Sequence, residues 1–322
     1  MIDLKVLTKI AILYYRDGLT HEEISQRLGM SRQTVGRNVE RAKKEGLVEI
    51  KIKSPLLFTA ELERSLEQEF NLKEALVVST ALEGEDGIKE ALGMAGADFL
   101  ERRVMSGDTL GISWGSTVLE VGRRLRPVKR KNVTIVQLNG SMDVGRYSTR
   151  AEHTVDLVAD AFGGRMVTLS APMLVDRHEI LESLLSDSRI ASVMSTARKA
   201  NIAIYGVGDV SESSSPYKVG YFDKNILERA KQDGAVGEIC GRFYDCNGQK
   251  CSSQLDDRIL AVELEDLKNK VLSIAIAGSP NKVEAIRGML KGRFCNVLIT
   301  DENTARELIN KSAVPSKTTL GL

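Results

Sequence analysis

Residues 20–44, THEEISQRLGMSRQTVGRNVERAKK, decide how this chain is read. Thr20 precedes a short apolar-periodic segment and Glu23 follows three residues later, the reciprocal pattern of a capping box at a helix start. Ile24 and Leu28, four apart, share one helical face. Gly29 breaks the pattern, and Ser31 offers a hydroxyl to cap a second helix. In that helix Val35, Val39 and Ala42 form one inward stripe, which leaves Arg32, Gln33, Thr34, Arg37, Arg41, Lys43 and Lys44 largely outside it. Two short helices joined by a glycine turn, the second basic on its free face, form a helix-turn-helix.

That arrangement suits double-stranded DNA. A helix fits the major groove, where guanine presents two acceptors to a forked guanidinium and adenine an acceptor and a donor to glutamine. Arg32, Gln33 and Thr34, behind the Ser31 cap, occupy the first helical turn, the part that reaches base edges; Arg37, Arg41, Lys43 and Lys44 are placed for phosphates. Residues 27–53 hold eight Lys/Arg against three Asp/Glu, whereas the whole chain carries only +1. The local surplus must therefore supply the attraction to DNA. The alternative is an amphipathic helix pair with a solvated basic face.

Working outward, residues 4–16 repeat apolar positions at helical spacing and can pack across the pair. LVEIKIK, residues 47–53, alternates apolar and charged with period two and predicts a strand of a small wing. Residues 1–53 are thus expected to form the DNA-binding unit, and residues 54–71 a connecting segment with a helix over about 60–70. From residue 72 the texture changes. ALVVST, DTLGIS, VTIVQL, NIAIYGVG, LSIAIAGS and NVLITD are compact apolar runs that end in polar or glycine-containing loops, usually followed by a helical segment. That alternation predicts an α/β fold with a mainly parallel, Rossmann-like sheet covered on both faces over residues 72–322.

Composition sets the remaining bounds. Hydrophobic residues at 42% and charged residues at 28% are ordinary for a globular protein. No apolar run approaches the roughly 18 residues of a membrane span, and the N-terminus lacks a signal-peptide pattern, so a cytoplasmic location is expected. Four cysteines without C-x-x-C spacing and three scattered histidines argue against a metal site.

In parallel sheets, ligands gather where strand carboxyl ends meet helix N-termini. Three loops here suit an anion. Ser113-Trp114-Gly115-Ser116-Thr117 precedes a helix whose free N–H groups favour a phosphate. Asn139-Gly140-Ser141 ends a second strand, and Gly278-Ser279-Pro280-Asn281-Lys282 ends a third and adds a positive charge. Asp245 is a candidate acceptor for sugar hydroxyls. Each also has a plainer reading: glycines for tight turns, Trp114 as core, Lys282 as an exposed helix residue, Asp245 as a turn initiator before Asn247-Gly248. None of these loops matches a Walker or dinucleotide fingerprint.

Taken together, LYYRDGLTHEEISQRLGMSRQTVGR, LGISWGSTV, VQLNGS, GAVGEICGRFYDCNG, IAGSPNKVEAIRGML and NVLITDENTA resemble the SorC/DeoR-type family of sugar-responsive transcription regulators across nearly the whole chain. The last third is similar to the deoxyribonucleoside-regulator branch. The resemblance implies a winged-helix-like head and an effector domain related in fold to sugar-phosphate isomerases and glucosamine-phosphate deaminases. It further implies a tetramer, a palindromic operator in a carbohydrate or deoxynucleoside catabolic operon, and control by a phosphorylated sugar, with no other cofactor. The effector contacts it implies are Ser113 to Thr117, Asn139 to Ser141, Asp245 and Lys282. Two positions depart from the pattern. The deoxyribonucleoside branch has a lysine where this chain has Asn139, so imine capture of an aldehyde at that position is not available. The usual glycine pair before the family lysine is Gly278-Ser279 here. A sugar-phosphate isomerase or deaminase is the rival expectation, but the three loops contain no histidine, and no acid/base pair of carboxylates is evident in the sequence.

Overall fold

A computed structural model describes residues 3–50, 57–79, 84–141, 150–251 and 254–312. The chain divides into two compact units, residues 1–57 and 58–322.

The regular secondary structure described in the first unit is all helical. Helix α1 (Leu4–Ala11) runs into a π-helical turn, Ile12–Arg16, and is followed by α2 (His21–Leu28) and α3 (Arg32–Lys44). The local chemistry is that expected from sequence. Thr20 and Glu23 exchange hydrogen bonds in a full capping box, and Gly29 closes α2 in the left-handed conformation at φ 66°. The Ser31 hydroxyl accepts the Thr34 N–H at 3.2 Å and so caps α3. Ile10, Leu13, Ile24, Val35 and Val39 close a small core, each side chain adding roughly 1.5–3 kcal/mol by burial. The expected wing strand is not seen in the described part of its span. Leu47–Ile50 form no strand, and Leu47 and Ile50 are exposed, while residues 51–53 lie outside the described residues. Period-two alternation makes a strand only where a partner accepts its hydrogen bonds, and no strand is described in this unit.

Helix α4 (Leu57–Phe70), which lies in the second unit from residue 58 on, leads into a seven-stranded sheet. Its strands are β1 (Glu74–Val78), β2 (Thr109–Ile112), β3 (Thr134–Gln137), β4 (Arg165–Val167), β5 (Ile202–Gly206), and two more near the C-terminus, Leu272–Ile276 and Val297–Asp301. A pair of short strands, β6 (Gly208–Asp209) and β7 (Ala235–Ile239), joins β8 (Arg242–Asp245) in a separate antiparallel sheet, so the two late strands of the large sheet are β9 and β10. The large sheet is ordered β1-β10-β9-β5-β2-β3-β4 and all its pairs are parallel.

Alternation within the strands splits the core in two. Ile112, Ile135, Ile204, Ile276 and Ile299 pack with α5 (Glu85–Arg103), α6 (Ser116–Arg124) and α7 (Ala151–Phe162). Val136, Ala203, Tyr205, Ala275 and Leu298 face the other way. There they meet residues of α8 (His178–Ser186), α9 (Ser188–Lys199), α10 (Ser215–Lys218), α11 (Lys224–Gln232), α12 (Leu264–Lys268), α13 (Val283–Lys291) and α14 (Glu302–Ser312). Strand β1 lies at an edge, where unpaired N–H groups would be costly. Glu67 and Glu63 of α4 accept the N–H groups of Ala75 and Val77 at 3.0 and 2.9 Å, while Leu66 between them is fully buried. The mainly parallel, doubly covered sheet is as the sequence predicts; the antiparallel β6-β7-β8 sheet was not foreseen.

No described helix is long and apolar enough to cross a membrane. Among the described residues no cluster of His, Cys, Asp and Glu could hold a metal, and all four cysteines are free.

Candidate functional site

The chain runs β2 to β3 to β4 toward one edge of the sheet, then returns to β5 on the other side of β2. Neighbouring strands whose following loops depart in opposite directions open a crevice at their carboxyl ends. A cavity of about 380 Å³ lies there. It is lined from β2 by Ser113–Leu119, from β3 by Asn139, from β5 by Gly206–Asp209, and from β9 by Ser279, Asn281 and Lys282. Four adjacent strand ends thus meet at one place.

Three of the four sequence-predicted groups reach this cavity. Ser113, Trp114, Gly115, Ser116 and Thr117 form one wall. Gly115 sits at φ 152°, ψ 156°, which a side chain would strain, and no side chain caps the helix that follows. Among the described residues, the first N–H groups of α6 have no intrahelical or side-chain acceptor at the cavity, a setting that favours an anion. Trp114, 8% exposed, donates its Nε1–H to the Gly140 carbonyl at 2.9 Å and stacks on Tyr221. It is therefore both core and cavity wall.

Asn139 is 2% exposed and lines the cavity; its Nδ2 meets Met173 Sδ at 3.5 Å and its Oδ1 is buried with no hydrogen-bond partner among the described residues. A buried carbonyl without a donor is costly unless a ligand or water supplies one. Gly140 and Ser141 do not line the cavity but support it. A Cβ at Gly140 would lie 2.6 Å from the Ala171 carbonyl oxygen, and Ser141 Oγ accepts from Gln137 Nε2 at 3.0 Å. Asp245 is not brought to the cavity. Its carboxylate accepts the N–H groups of Asn247 and Gln249 at 2.9 and 2.8 Å, which makes it the initiator of the β8 turn.

Lys282 is the most informative member of the site. It is half-buried at the end of the Pro280–Lys282 turn, and among the described residues its ammonium has no hydrogen-bond or ion-pair partner. Burial pulls its pKa below the usual lysine value, opposed by the charges of Asp209, Glu85 and Glu238, while Lys89 adds to the depression. Lys89 also lines the cavity but is paired with Glu85 at 2.9 Å.

The structure adds residues that the sequence reading did not single out. Glu238, next to the end of β7, is 6% exposed and reaches the cavity; it accepts the Gly241 N–H at 2.8 Å. Burial raises its pKa to about 7, against the lowering effects of the Gly241 N–H and Lys282. Asp209, Ser213, Ser214 and Ser215 enter from the segment after β5. A charged residue inside the otherwise apolar run AVGEIC, residues 235–240, was the available signal for Glu238. Nothing local indicated that Asp209 would share its cavity, since β6 meets β7 only through the tertiary fold.

At the DNA-binding candidate, Ser31, Arg32, Gln33, Arg37 and Lys43 are exposed and Thr34 is partly covered. Ser31 and Thr34 are joined through their hydroxyls at 2.8 Å, and Arg41 pairs with Glu45 at 2.7 Å. Arg32 and Gln33 stand free on the first turn of α3, among the described residues. Asn38, unflagged by the sequence reading, is buried and donates to the Thr34 carbonyl at 2.6 Å.

A helix-turn-helix head followed by a doubly covered α/β domain with a polar cavity at its switch point defines a ligand-binding transcription regulator. Comparison with known proteins agrees. Residues 54–310 match the family model described as "Putative sugar-binding domain", and residues 4–45 match that of sigma-70 region 4. The chain is 36% identical to the deoxyribonucleoside regulator of Bacillus subtilis (strain 168), over 93% of this chain and 96% of that protein. It is 28% identical to the sorbitol operon regulator of Klebsiella pneumoniae, over 95% and 98%. The crystal structure of that full-length regulator, SorC, superposes with a TM-score of 0.73 at 28% identity, covering 96% of this chain and 99% of the other. The chain belongs to the SorC/DeoR-type family of sugar-binding transcriptional regulators, and these relatives are regulators and not enzymes.

Proposed function

We propose that this protein controls transcription of a carbohydrate or deoxynucleoside catabolic operon and that a phosphorylated sugar in the switch-point cavity sets its affinity for DNA. The reading divides the chain into a DNA-binding head (1–53), a connecting segment (54–71) and an effector and oligomerisation domain (72–322). It has the protein acting in the cytoplasm as a homo-oligomer, a tetramer, on a palindromic operator. Arg32, Gln33 and Thr34 read base edges, while Ser31, Arg37, Arg41 and Lys43 hold the backbone.

The observation that carries the effector assignment is Lys282, an ammonium partly withdrawn from water at a cavity and, among the described residues, without a hydrogen-bond or ion-pair partner. The acidic groups Asp209, Glu85 and Glu238 offset part of the cost of its burial without bonding to it, and a phosphate between Lys282 and the open N-terminus of α6 supplies the direct partner. Asn139 Oδ1 and the Glu238 carboxyl then face the rest of the ligand and accept from hydroxyls. The effector is held by hydrogen bonds and charge, and it acts because it binds the DNA-competent and DNA-incompetent states with different affinity.

Trp114, the only tryptophan, lines the cavity and reports on occupancy. Titration with sugar monophosphates is expected to change its fluorescence saturably, with a weaker response in Lys282→Ala. Equal responses to a sugar and its phosphate ester, or no response to any ester, would overturn the assignment.

A further inference from the structure

Asp301 ends β10 with no solvent exposure, and among the described residues no cation pairs with it. Its carboxylate is instead satisfied by three donors. Oδ1 accepts the Thr304 N–H at 3.0 Å, and Oδ2 accepts the Thr304 hydroxyl at 2.6 Å and the Ser279 N–H at 3.0 Å. The Ser279 N–H also meets Thr304 Oγ1 at 3.0 Å. Approach this close requires glycine next door: a Cβ at Gly278 would lie 2.2 Å from Oδ2.

Ser279 itself sits at φ 119°, ψ 142°, a region essentially reserved for glycine. A residue stays there only when its surroundings hold it. Ser279 is held on both sides, its N–H by Asp301 and Thr304, its carbonyl by the Lys282 N–H at 3.0 Å. The last of these bonds closes the turn that presents Lys282 to the cavity.

We infer that Asp301 is a positioning residue for the effector site: by gripping the Ser279 N–H it fixes a strained turn, and that turn sets Lys282 in the cavity. The significance for effector binding rests on the function proposed above, but the positioning has its own test. An asparagine at 301 has one acceptor and one amide donor where the carboxylate has two acceptors, so it must turn an N–H against either the Ser279 or the Thr304 donors. A glycine at 279 adopts the same φ without being held.

The experiment uses the full-length protein with lysines reductively methylated by ¹³C-formaldehyde, the Lys282 resonance being identified by its loss in Lys282→Arg. Its pH titration reads burial together with the fields of Asp209, Glu85, Glu238 and Lys89, the charged groups that face it. In the wild type the midpoint is expected below those of the exposed lysines. Asp301→Asn, and more mildly Thr304→Val, raise it toward them, and Ser279→Gly added to Asp301→Asn brings it back down. A midpoint unchanged in Asp301→Asn and Thr304→Val, with native circular dichroism, overturns the inference, as does a shift that Ser279→Gly fails to reverse. If Asp301→Asn does not fold, Thr304→Val alone and combined with Ser279→Gly decides. Inorganic phosphate added to the same wild-type sample tests the functional reading separately. A Lys282 resonance insensitive to phosphate counts against that reading and leaves the positioning role standing.

Discussion

Replacing Glu238 by Gln should make the unliganded protein more stable at neutral and alkaline pH. The carboxyl is almost fully enclosed, one oxygen accepts the Gly241 N–H, and burial raises its pKa from the ordinary 4.5 to about 7. A carboxyl whose folded pKa is raised binds protons more tightly folded than unfolded. Stability therefore falls as pH rises from about 4.5 to about 7 and is flat above that window. At ~1.4 kcal/mol per pH unit, the full effect is about 3 kcal/mol. Glutamine keeps an oxygen for the Gly241 N–H and carries no charge, so it resembles the protonated side chain throughout. Urea denaturation of both proteins at pH 5, 6, 7 and 8, in buffer free of phosphate, checks this. The variant should exceed the wild type only slightly at pH 5, gain up to about pH 7 and hold nearly the same margin at pH 8. A stability difference independent of pH, or one that favours the wild type at pH 8, refutes the reasoning.

Other consequences are narrower. Arg32→Ala and Gln33→Ala should each lose roughly 1–3 kcal/mol of discrimination at the base pair contacted, seen as a relaxed preference in footprints on mutated operators; an unchanged preference would remove them from base reading. Ser279→Gly should stabilise the protein by about 1 kcal/mol, because relief of ~1–3 kcal/mol of backbone strain exceeds the added freedom of the unfolded chain, and a lowered melting temperature would contradict this. Thr20→Ala removes the capping box and should cost about 1 kcal/mol in the head, read as weaker operator binding and earlier thermal loss of helix.

How much of this was legible in the sequence depended on how local the cause was. Thr20, Glu23, Gly29 and Ser31 act within one helical turn, so the head could be read residue by residue. The strand ends were readable for a similar reason: an apolar run followed by glycine and a helix start needs no knowledge of its neighbours. Which ends would meet was a matter of topology, and the cavity forms because β5 returns beside β2. Glu238 and Asp209 were invisible as a pair because β6 and β7 are brought together only by the fold. Asp245 was misplaced since a turn-initiating aspartate and a ligand-binding one look alike in sequence; its carboxylate is occupied by Asn247 and Gln249. The alternation of residues 47–53 suggested a strand, but without a described partner Leu47–Ile50 form none. Gly278-Ser279 was noted as a departure from the family pattern, whereas its strained φ and its dependence on Asp301 are visible only in three dimensions.

Fluorescence anisotropy of a labelled promoter fragment from upstream of the protein's own operon, titrated with the full-length protein in the presence and absence of individual sugar phosphates, probes the link between head and cavity. The account predicts that at least one phosphorylated sugar changes the apparent DNA affinity of the wild type, that its unphosphorylated form does so far less, and that Lys282→Ala binds the same DNA with a blunted response. Operator binding that no sugar phosphate alters, or a Lys282→Ala protein that responds as the wild type does, would contradict it.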